Sequence, residues 1–364
     1  MTQSSKKNRI IFIDLMRAFA VLQMVQGHTV DVLLANDYRN MDSPIFNFWF
    51  FMRGMTAPIF LFTAGTVFTY LLRLVNEPFK TNPRVKKGIK RFLLLIFLGY
   101  LLRYPTPTLI DFSNVTPEEW KTFYAVDVLH LIGFGILFLM ISAYIAERFK
   151  LSDYKVFSIS ALIFFGLYQP FSLINWQKIV PEFFAGYFYN GSGSNFPLFP
   201  WAGYVIAGGV LGSYLAKHPA VFKNIKFSYW LAAAGAFFII IAVAGNEVDL
   251  AVYGQSNFWT TSPNLIIFRL GIVLILNSIV SIIALKIKTI PRIFILLGRN
   301  TLLIYVVHLT ILYGSAWNPG LITILDKSLS VWSTIGMALA MITAMTLMVI
   351  VIHKFKLRFK QVEA

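Results

Sequence analysis

Long apolar segments separated by short polar ones dominate the chain. Each is near the ~20 residues that a helix needs to cross a bilayer, although the third is short. The segments are Ile10–Leu34, Ile45–Leu72, Ile89–Leu102, Phe123–Ala146, Val156–Ile174, Pro197–Ala216, Tyr229–Gly245, Pro263–Leu285, Ile293–Gly314 and Val331–Ile352. The pattern predicts an all-α polytopic transmembrane bundle of about ten spans. We expect one membrane-embedded domain over residues 1–364, with short tails at 1–9 and 354–364.

The composition fits a protein in lipid better than one in water. Of the 364 residues, 57% are hydrophobic and 13% are charged, whereas soluble domains are about 45–50% apolar and ~25% charged. The absence of cysteine excludes a disulfide scaffold, a thiolate metal site and a cysteine nucleophile. The first segment is too long for a cleavable signal and contains Asp14 and Arg17.

The formal net charge of +16 comes from 32 basic and 16 acidic residues. With a cytoplasmic N-terminus, 23 of the 32 basic residues fall in tails and alternate loops on the cytoplasmic side. Four fall on the opposite side, and they are Arg39, Lys121, Lys178 and Lys327. This asymmetry predicts that both termini are cytoplasmic, which requires an even number of spans. The charge therefore indicates orientation, and we expect no nucleic-acid partner.

Ionisable side chains inside the first segment are candidate functional groups, because burying them in lipid is costly. Asp14 and Arg17 are three residues apart and can pair on one helix face, as can His28 and Asp31. Arg17 and His28 are eleven residues apart, so they share a face and lie ~16 Å apart along the axis. Such a helix could bind an anion from inside and support chemistry near the outside. A purely structural role in packing or capping is the alternative.

Other polar groups gather in the outer halves of later segments. Three histidines, His28, His130 and His308, fall at similar depth, but no short ligand spacing supports a zinc site, so no metal is expected. Acid–base groups serving proton transfer or hydrolysis are the favoured interpretation. The remaining polar groups are Arg53, Asp127, Arg269 and Tyr305.

Four segments resemble the transmembrane acyltransferase superfamily, which includes acyltransferase-3 proteins and heparan-α-glucosaminide N-acetyltransferase-like proteins. Arg17 and His28 match the arginine, ten residues, histidine spacing of acyltransferase-3 proteins, and Asp14 matches the acidic position before the arginine in the heparan branch. The three downstream segments that are similar to that branch are Arg53–Gly65, Phe196–Gly209 and Leu297–His308.

The resemblance implies a multi-pass enzyme of the bacterial cytoplasmic (inner) membrane. It would take an acyl group, in the first instance acetyl, from cytoplasmic acyl-CoA as co-substrate. The group would pass to a hydroxyl or amine of an envelope glycan or glycolipid on the outer side. The expected partners are membrane lipids and this acceptor, and a homo-oligomer is compatible with both.

The resemblance and the polar residues together predict three groups of site residues. We expect catalysis at His28, Asp31, Asp127, His130 and His308. Acyl-CoA binding is expected at Asp14, Arg17, Arg53, Arg84, Lys86, Lys87, Arg91 and Asn300. The oxyanion or acceptor site is expected at Arg269, Tyr305 and Trp201.

In the favoured mechanism His28 is the general base and is oriented by Asp31 or Asp127. Arg53 or Arg269 stabilises the tetrahedral oxyanion, and an acyl-histidine intermediate is the variant. The basic run at residues 84–91 would receive the phosphates of the donor, or would only orient the protein.

Two other classes of protein stay open at this point. A proton-coupled secondary transporter of a small anionic or sugar-like solute also uses intramembrane Asp, Arg and His, although no internal repeat is visible. A passive scaffold for envelope assembly would need none of these groups.

Overall fold

The computed structural model of the chain describes residues 10–287 and 290–362. Regular structure in these residues is helical apart from a two-stranded antiparallel ribbon, β1 (Gly314–Ser315) and β2 (Asn318–Pro319). The helices are α1 (Ile11–Leu33), α2 (Pro44–Arg73), α3 (Pro83–Leu102), α4 (Pro117–Tyr124), α5 (Val128–Arg148), α6 (Asp153–Gly166), α7 (Tyr168–Leu173), α8 (Glu182–Ala185), α9 (Leu198–Lys217), α10 (Ile225–Tyr253), α11 (Pro263–Lys286), α12 (Arg292–Arg299), α13 (Thr301–Tyr313), α14 (Leu321–Leu325) and α15 (Val331–Val362). The predicted all-α polytopic fold is confirmed.

All ten apolar segments are helical, but they differ in how well they fit a membrane. Within the described residues, seven helical segments are long and apolar enough to cross, or eight if the bent pair α12 and α13 forms one span. The helices α1 and α3 are 23 and 20 residues long, but they carry more charged and polar side chains. The count of ten spans therefore stays a prediction.

Several helix boundaries differ from the predicted ones. The ninth segment bends by 74° between α12 and α13, and the fourth is divided into α4 and α5. The predicted tail at 1–9 lies outside the described residues. The predicted tail from residue 354 is helical as far as Val362, where α15 ends, and its place outside the membrane stays a prediction.

The chain forms two compact units, and the larger comprises Ala57–Pro105 and Ser113–Lys286. Within it α5 packs against α3, α6 and α9, and α10 pairs with α11. The second half of α2 lies very close to α9, since a Cβ added to Gly65 would lie 1.8 Å from the Val205 carbonyl oxygen. The expectation of a single domain is not tested by this division.

The segment Asn190–Asn195 in the larger unit is tied down, although its composition suggests flexibility. Ser192 and Ser194 are buried. The hydroxyl oxygen of Ser194 accepts a hydrogen bond from the Val126 N–H at 2.8 Å, and the Ser192 hydroxyl donates to the Tyr189 carbonyl at 2.9 Å. The segment thereby holds the backbone just before α5.

The smaller unit comprises Ile11–Thr56, Thr106–Phe112 and the described part of Ile287–Ala364. Within it α1 packs against α12, α13 and α15. The C-terminal end of α1 is joined to the loop before α15, because the Leu329 N–H donates to the Leu33 carbonyl at 2.9 Å. These contacts hold α1 in place at the end that carries His28 and Asp31.

Candidate active site

The end of α1 brings two predicted histidines together in the smaller unit. The ring centroids of His28 and His308 lie 5.5 Å apart, although 280 residues separate them in the chain. His308 is fully buried, and His28 is half-buried. The Tyr313 hydroxyl lies 3.1 Å from Nδ1 of His28. The packing of α13 against α1 therefore places a tyrosine and a second imidazole beside His28.

The hydrogen bond of His308 determines which of its nitrogens is basic. Its Nδ1 lies 2.7 Å from the carbonyl oxygen of Ile304, one turn earlier on α13. Because a carbonyl oxygen only accepts, Nδ1 carries the hydrogen and Nε2 of the neutral ring keeps its lone pair. Nε2 is buried and has no hydrogen-bond partner among the described residues. The ring is thus held in one orientation and keeps a free lone pair on Nε2.

Asp31 contacts two arginines, whereas we expected either Asp31 or Asp127 to orient His28. Arg53 donates to Oδ2 of Asp31 at 2.6 Å, and Nη1 of Arg39 lies 3.6 Å from Oδ1. Arg39 also donates to the Leu34 carbonyl at 2.9 Å, so it caps the C-terminal end of α1. The carboxylate is anchored by Arg39 and in turn holds the guanidinium of Arg53.

Arg53 lies against the same end of α1. A Cβ added to Gly27 would lie 3.7 Å from Cγ of Arg53, so the stem of the arginine packs over the residue that precedes His28. Its guanidinium carbon lies 5.9 Å from the centroid of the Phe50 ring. The smaller unit thus combines a basic nitrogen with an anchored cation.

Unpartnered polar atoms lie further along the contact between α1 and the first half of α2. The Gln23 amide donates to the Met52 carbonyl. Three buried atoms of this region have no hydrogen-bond partner within the part of the chain that the structure describes: Oε1 of Gln23, Nε1 of Trp49 and Oγ1 of Thr56. Such groups are costly to bury, so each one suggests contact with a ligand or water.

Three of the residues predicted to bind the donor, Asp14, Arg17 and Asn300, lie where α12 meets α1. A Cβ added to Gly298 would lie 2.9 Å from the Asp14 carbonyl oxygen and 3.4 Å from Cβ of Arg17. Asn300 occupies the bend between α12 and α13, and its amide donates to the Leu296 carbonyl at 2.8 Å. Asn300 therefore caps α12, and its predicted contact with the donor stays untested.

Asp127 and His130 form the N-terminal cap of α5 in the larger unit. Oδ1 of Asp127 accepts from the Leu129 N–H at 2.6 Å, and Nδ1 of His130 accepts from the Asp127 N–H at 3.3 Å. Nε of Arg103 lies 3.8 Å from Oδ2 of Asp127. Both candidates thus have a local structural role, and the catalytic role predicted for them stays a prediction.

The other predicted residues are divided between the two units. In the larger unit, the guanidinium carbon of Arg269 lies 5.9 Å from the centroid of the Trp201 ring. In the smaller unit, Tyr305 is buried with its ring centroid 5.8 Å from that of His308. The basic run begins at the N-terminal end of α3, where Arg84 is half-buried. Its exposed members are Lys86, Lys87, Lys90 and Arg91.

The sequence analysis missed Tyr313 and Arg39. Nothing local to Tyr313 indicates a contact with a residue 285 positions away. Arg39 could have been singled out from the sequence, because it is one of only four basic residues on the predicted outer side. Within residues 10–287 and 290–362, no three His, Asp or Glu side chains gather as metal ligands would.

The apolar helices define a multi-pass membrane protein. Residues 9–257 match the family model described as heparan-alpha-glucosaminide N-acetyltransferase, catalytic. The chain therefore belongs to this family of transmembrane acyltransferases, and the resemblance is confirmed. His28 and Arg53 lie inside the matched range, whereas His308 and Tyr313 lie beyond it. A comparison with curated proteins gave no match.

Proposed function

We propose that the protein transfers an acyl group, most simply acetyl, from cytoplasmic acyl-CoA to a hydroxyl or amine of an envelope glycan or glycolipid. The acceptor lies on the outer side of a bacterial inner membrane. Family membership supports acetyl transfer at a membrane. The distribution of basic residues supports the orientation, since it puts the end of α1 that carries His28 outside.

The observation that carries the proposal is the group formed by His28, His308 and Arg53. The Nε2 lone pair of His308 accepts the proton of the acceptor hydroxyl or amine as its oxygen or nitrogen attacks the thioester carbonyl. Arg53, held by Asp31, stabilises the oxyanion of the tetrahedral intermediate. The C–S bond then breaks, and the CoA thiolate takes the proton from Nε2 of His308. This assignment moves the base from His28, as first expected, to His308.

The length of α1 suits a donor that reaches across the membrane. Arg17 and His28 are ~16 Å apart along the helix axis. An extended amide chain advances ~1.2 Å per bond, so the ~13 bonds between the pyrophosphate and the sulfur of CoA span ~15 Å. Oε1 of Gln23, between these two residues on α1, and Oγ1 of Thr56 on α2 are buried without a hydrogen-bond partner among the described residues. They offer hydrogen-bonding groups to the two amides of the pantetheine arm.

Donor binding is tested by the thermal stability of the purified full-length protein. Acetyl-CoA should raise the unfolding temperature, and inorganic pyrophosphate at equal ionic strength should raise it much less. Arg17→Gln should weaken the acetyl-CoA effect by about tenfold, since charge-assisted hydrogen bonds to phosphate are lost. No shift at saturating acetyl-CoA would refute the enzyme assignment and favour a transporter.

Isotope exchange separates direct transfer from an acyl-histidine intermediate. In direct transfer, labelled CoA enters acetyl-CoA only when an acceptor is present. Exchange without acceptor would require a covalent acyl-enzyme and would overturn the direct mechanism. The His308→Gln variant, which has no basic nitrogen at this position, should abolish exchange in either case.

A further inference from the structure

Arg269 lies in an apolar helix and has no counter-ion among the described residues. It is the seventh residue of α11, a helix of the larger unit. Among the described residues, no carboxylate or carbonyl oxygen lies within hydrogen-bonding distance of its guanidinium, whose carbon lies 5.9 Å from the centroid of the Trp201 ring. It is half-buried, so it is accessible to a ligand.

Two other arginines of the same unit are paired with carboxylates. Arg73 donates to Oδ1 of Asp153 at 2.6 Å. Arg103 pairs with Asp127 at 3.8 Å and donates to the Ala125 carbonyl at 3.3 Å. An unpaired guanidinium in a helix of this apolarity is costly. The cost is reduced if an anion from outside the protein completes the site.

The surroundings of Arg269 are aromatic rather than acidic. Its charge acts on the hydroxyls of Tyr168 and Tyr204. The Tyr204 hydroxyl is already used, since it donates to the Ile266 carbonyl at 3.0 Å, whereas Tyr168 is half-buried and interacts electrostatically with Arg269. The helix α11 packs mainly against α10, and it contacts α9 through the side chains of Arg269 and Trp201.

The guanidinium of Arg269 can reach towards the outer headgroup level of a bilayer, because long basic side chains snorkel from the outer half of a membrane helix. Arg269 lies ~9 Å along α11 from Pro263, which the charge asymmetry places on the outer side. Tryptophan and tyrosine are enriched at that level. The planar fork of arginine binds two oxygens of a phosphate at once. A lipid phosphate therefore fits both the chemistry and the depth of the site.

We infer that Arg269, Trp201 and Tyr168 form a binding site for the phosphate of an anionic membrane lipid. The phosphate could belong to a bulk phospholipid or to a polyprenyl phosphate that carries a glycan. Arginine supplies the charge, the tryptophan ring orients it, and the tyrosine hydroxyl donates a hydrogen bond. The inference rests on the larger unit alone and does not depend on the proposed acyl transfer.

Lipid binding is tested with full-length protein in neutral detergent, by native mass spectrometry and thermal stability. The probes are phosphatidylglycerol, undecaprenyl phosphate, phosphatidylcholine and inorganic phosphate. We expect the two anionic lipids to bind and inorganic phosphate at the same concentration to have little effect, because burial of the lipid chains contributes to affinity. Arg269→Gln should weaken anionic lipid binding about tenfold or more.

Matched variants separate a specific site from general charge. Lys178→Gln removes one positive charge from the same predicted side at an exposed position and should retain binding. Arg269→Lys keeps the positive charge but loses the two-pronged guanidinium, so lipid binding should fall several-fold. This variant replaces Arg269→Gln in the test if Arg269→Gln does not fold.

The outcomes identify the lipid or overturn the site. Tighter binding of undecaprenyl phosphate than of phosphatidylglycerol would identify a carrier lipid, and equal binding would identify bulk lipid. Wild-type affinity in folded Arg269→Gln, or an equal loss in Lys178→Gln, would overturn the inference. Stabilisation by acetyl-CoA, measured on the same samples, shows separately whether the proposed donor site is intact.

Discussion

Replacing His308 with asparagine tests the acid–base assignment while preserving the local structure. The asparagine amide nitrogen can take the place of Nδ1 and donate to the Ile304 carbonyl, which accepts at 2.7 Å in the wild type. The lone pair of Nε2, unpartnered among the described residues, has no equivalent in asparagine. The variant therefore removes the proposed base and keeps the hydrogen bond that orients it.

The expected effect follows from the role of the base. Removing a general base typically lowers the rate by 10²–10⁴-fold, so kcat should fall at least ~100-fold. The KM for acetyl-CoA should change less than ~3-fold, because interactions made only in the transition state contribute to kcat and not to ground-state binding. Release of CoA thiol in the presence of an amine or hydroxyl acceptor measures both quantities.

The matched control is His218→Asn. His218 follows α9 in the larger unit, where its ring lies 4.6 Å from that of Tyr214, and it has no proposed role in transfer. This variant should keep wild-type kcat. If folded His308→Asn keeps more than ~10% of the wild-type kcat, then His308 is not the base, since such a loss is smaller than general-base catalysis supplies.

Three further predictions follow from contacts in the two units. Gly65→Ala should lower the unfolding temperature sharply, because its Cβ would lie 1.8 Å from the Val205 carbonyl oxygen. The control Gly336→Ala, with nothing within 4 Å, should leave the unfolding temperature unchanged or slightly higher. Equal unfolding temperatures for the two variants would contradict the close packing of α2 against α9. Asp31→Asn should release Arg53 and lower kcat about tenfold, while acetyl-CoA still raises the unfolding temperature. Asp31→Glu should restore part of the activity. An unchanged kcat in Asp31→Asn would exclude a positioning role for Asp31. Replacing Arg84, Lys86, Lys87, Lys90 and Arg91 of α3 with glutamine should raise the KM for acyl-CoA, and the increase should be largest at low salt. A changed membrane orientation with an unchanged KM would show that these residues only orient the protein.

The sequence predicted the helices well because lipid imposes a simple requirement. A segment of ~20 apolar residues must satisfy its own backbone hydrogen bonds, and the helix is the way to do so. Bends and boundaries were predicted less well. The bend at Asn300 depends on a side-chain cap, and the fixed loop before α5 depends on Ser194 reaching the Val126 N–H.

The sequence predicted part of the candidate site, and the rest depends on contacts between helices that the sequence does not specify. Arg17, His28 and Asp31 share one helix, so helical spacing alone relates their positions. The arginine partners of Asp31 were not predicted, because a carboxylate three residues from a histidine is free to turn towards arginines elsewhere. Sequence spacing says which residues can meet, whereas competing charges decide which do.

By itself, the sequence determined that this chain is a helical membrane protein, the orientation its charges favour and the family to which it belongs. These properties depend on composition and on local periodicity. Only the tertiary structure decided that His308 and Tyr313 lie beside His28, and that Arg269 has no counter-ion in the described chain. Contacts between residues hundreds of positions apart arise from helix packing, which leaves no periodic signal in the sequence.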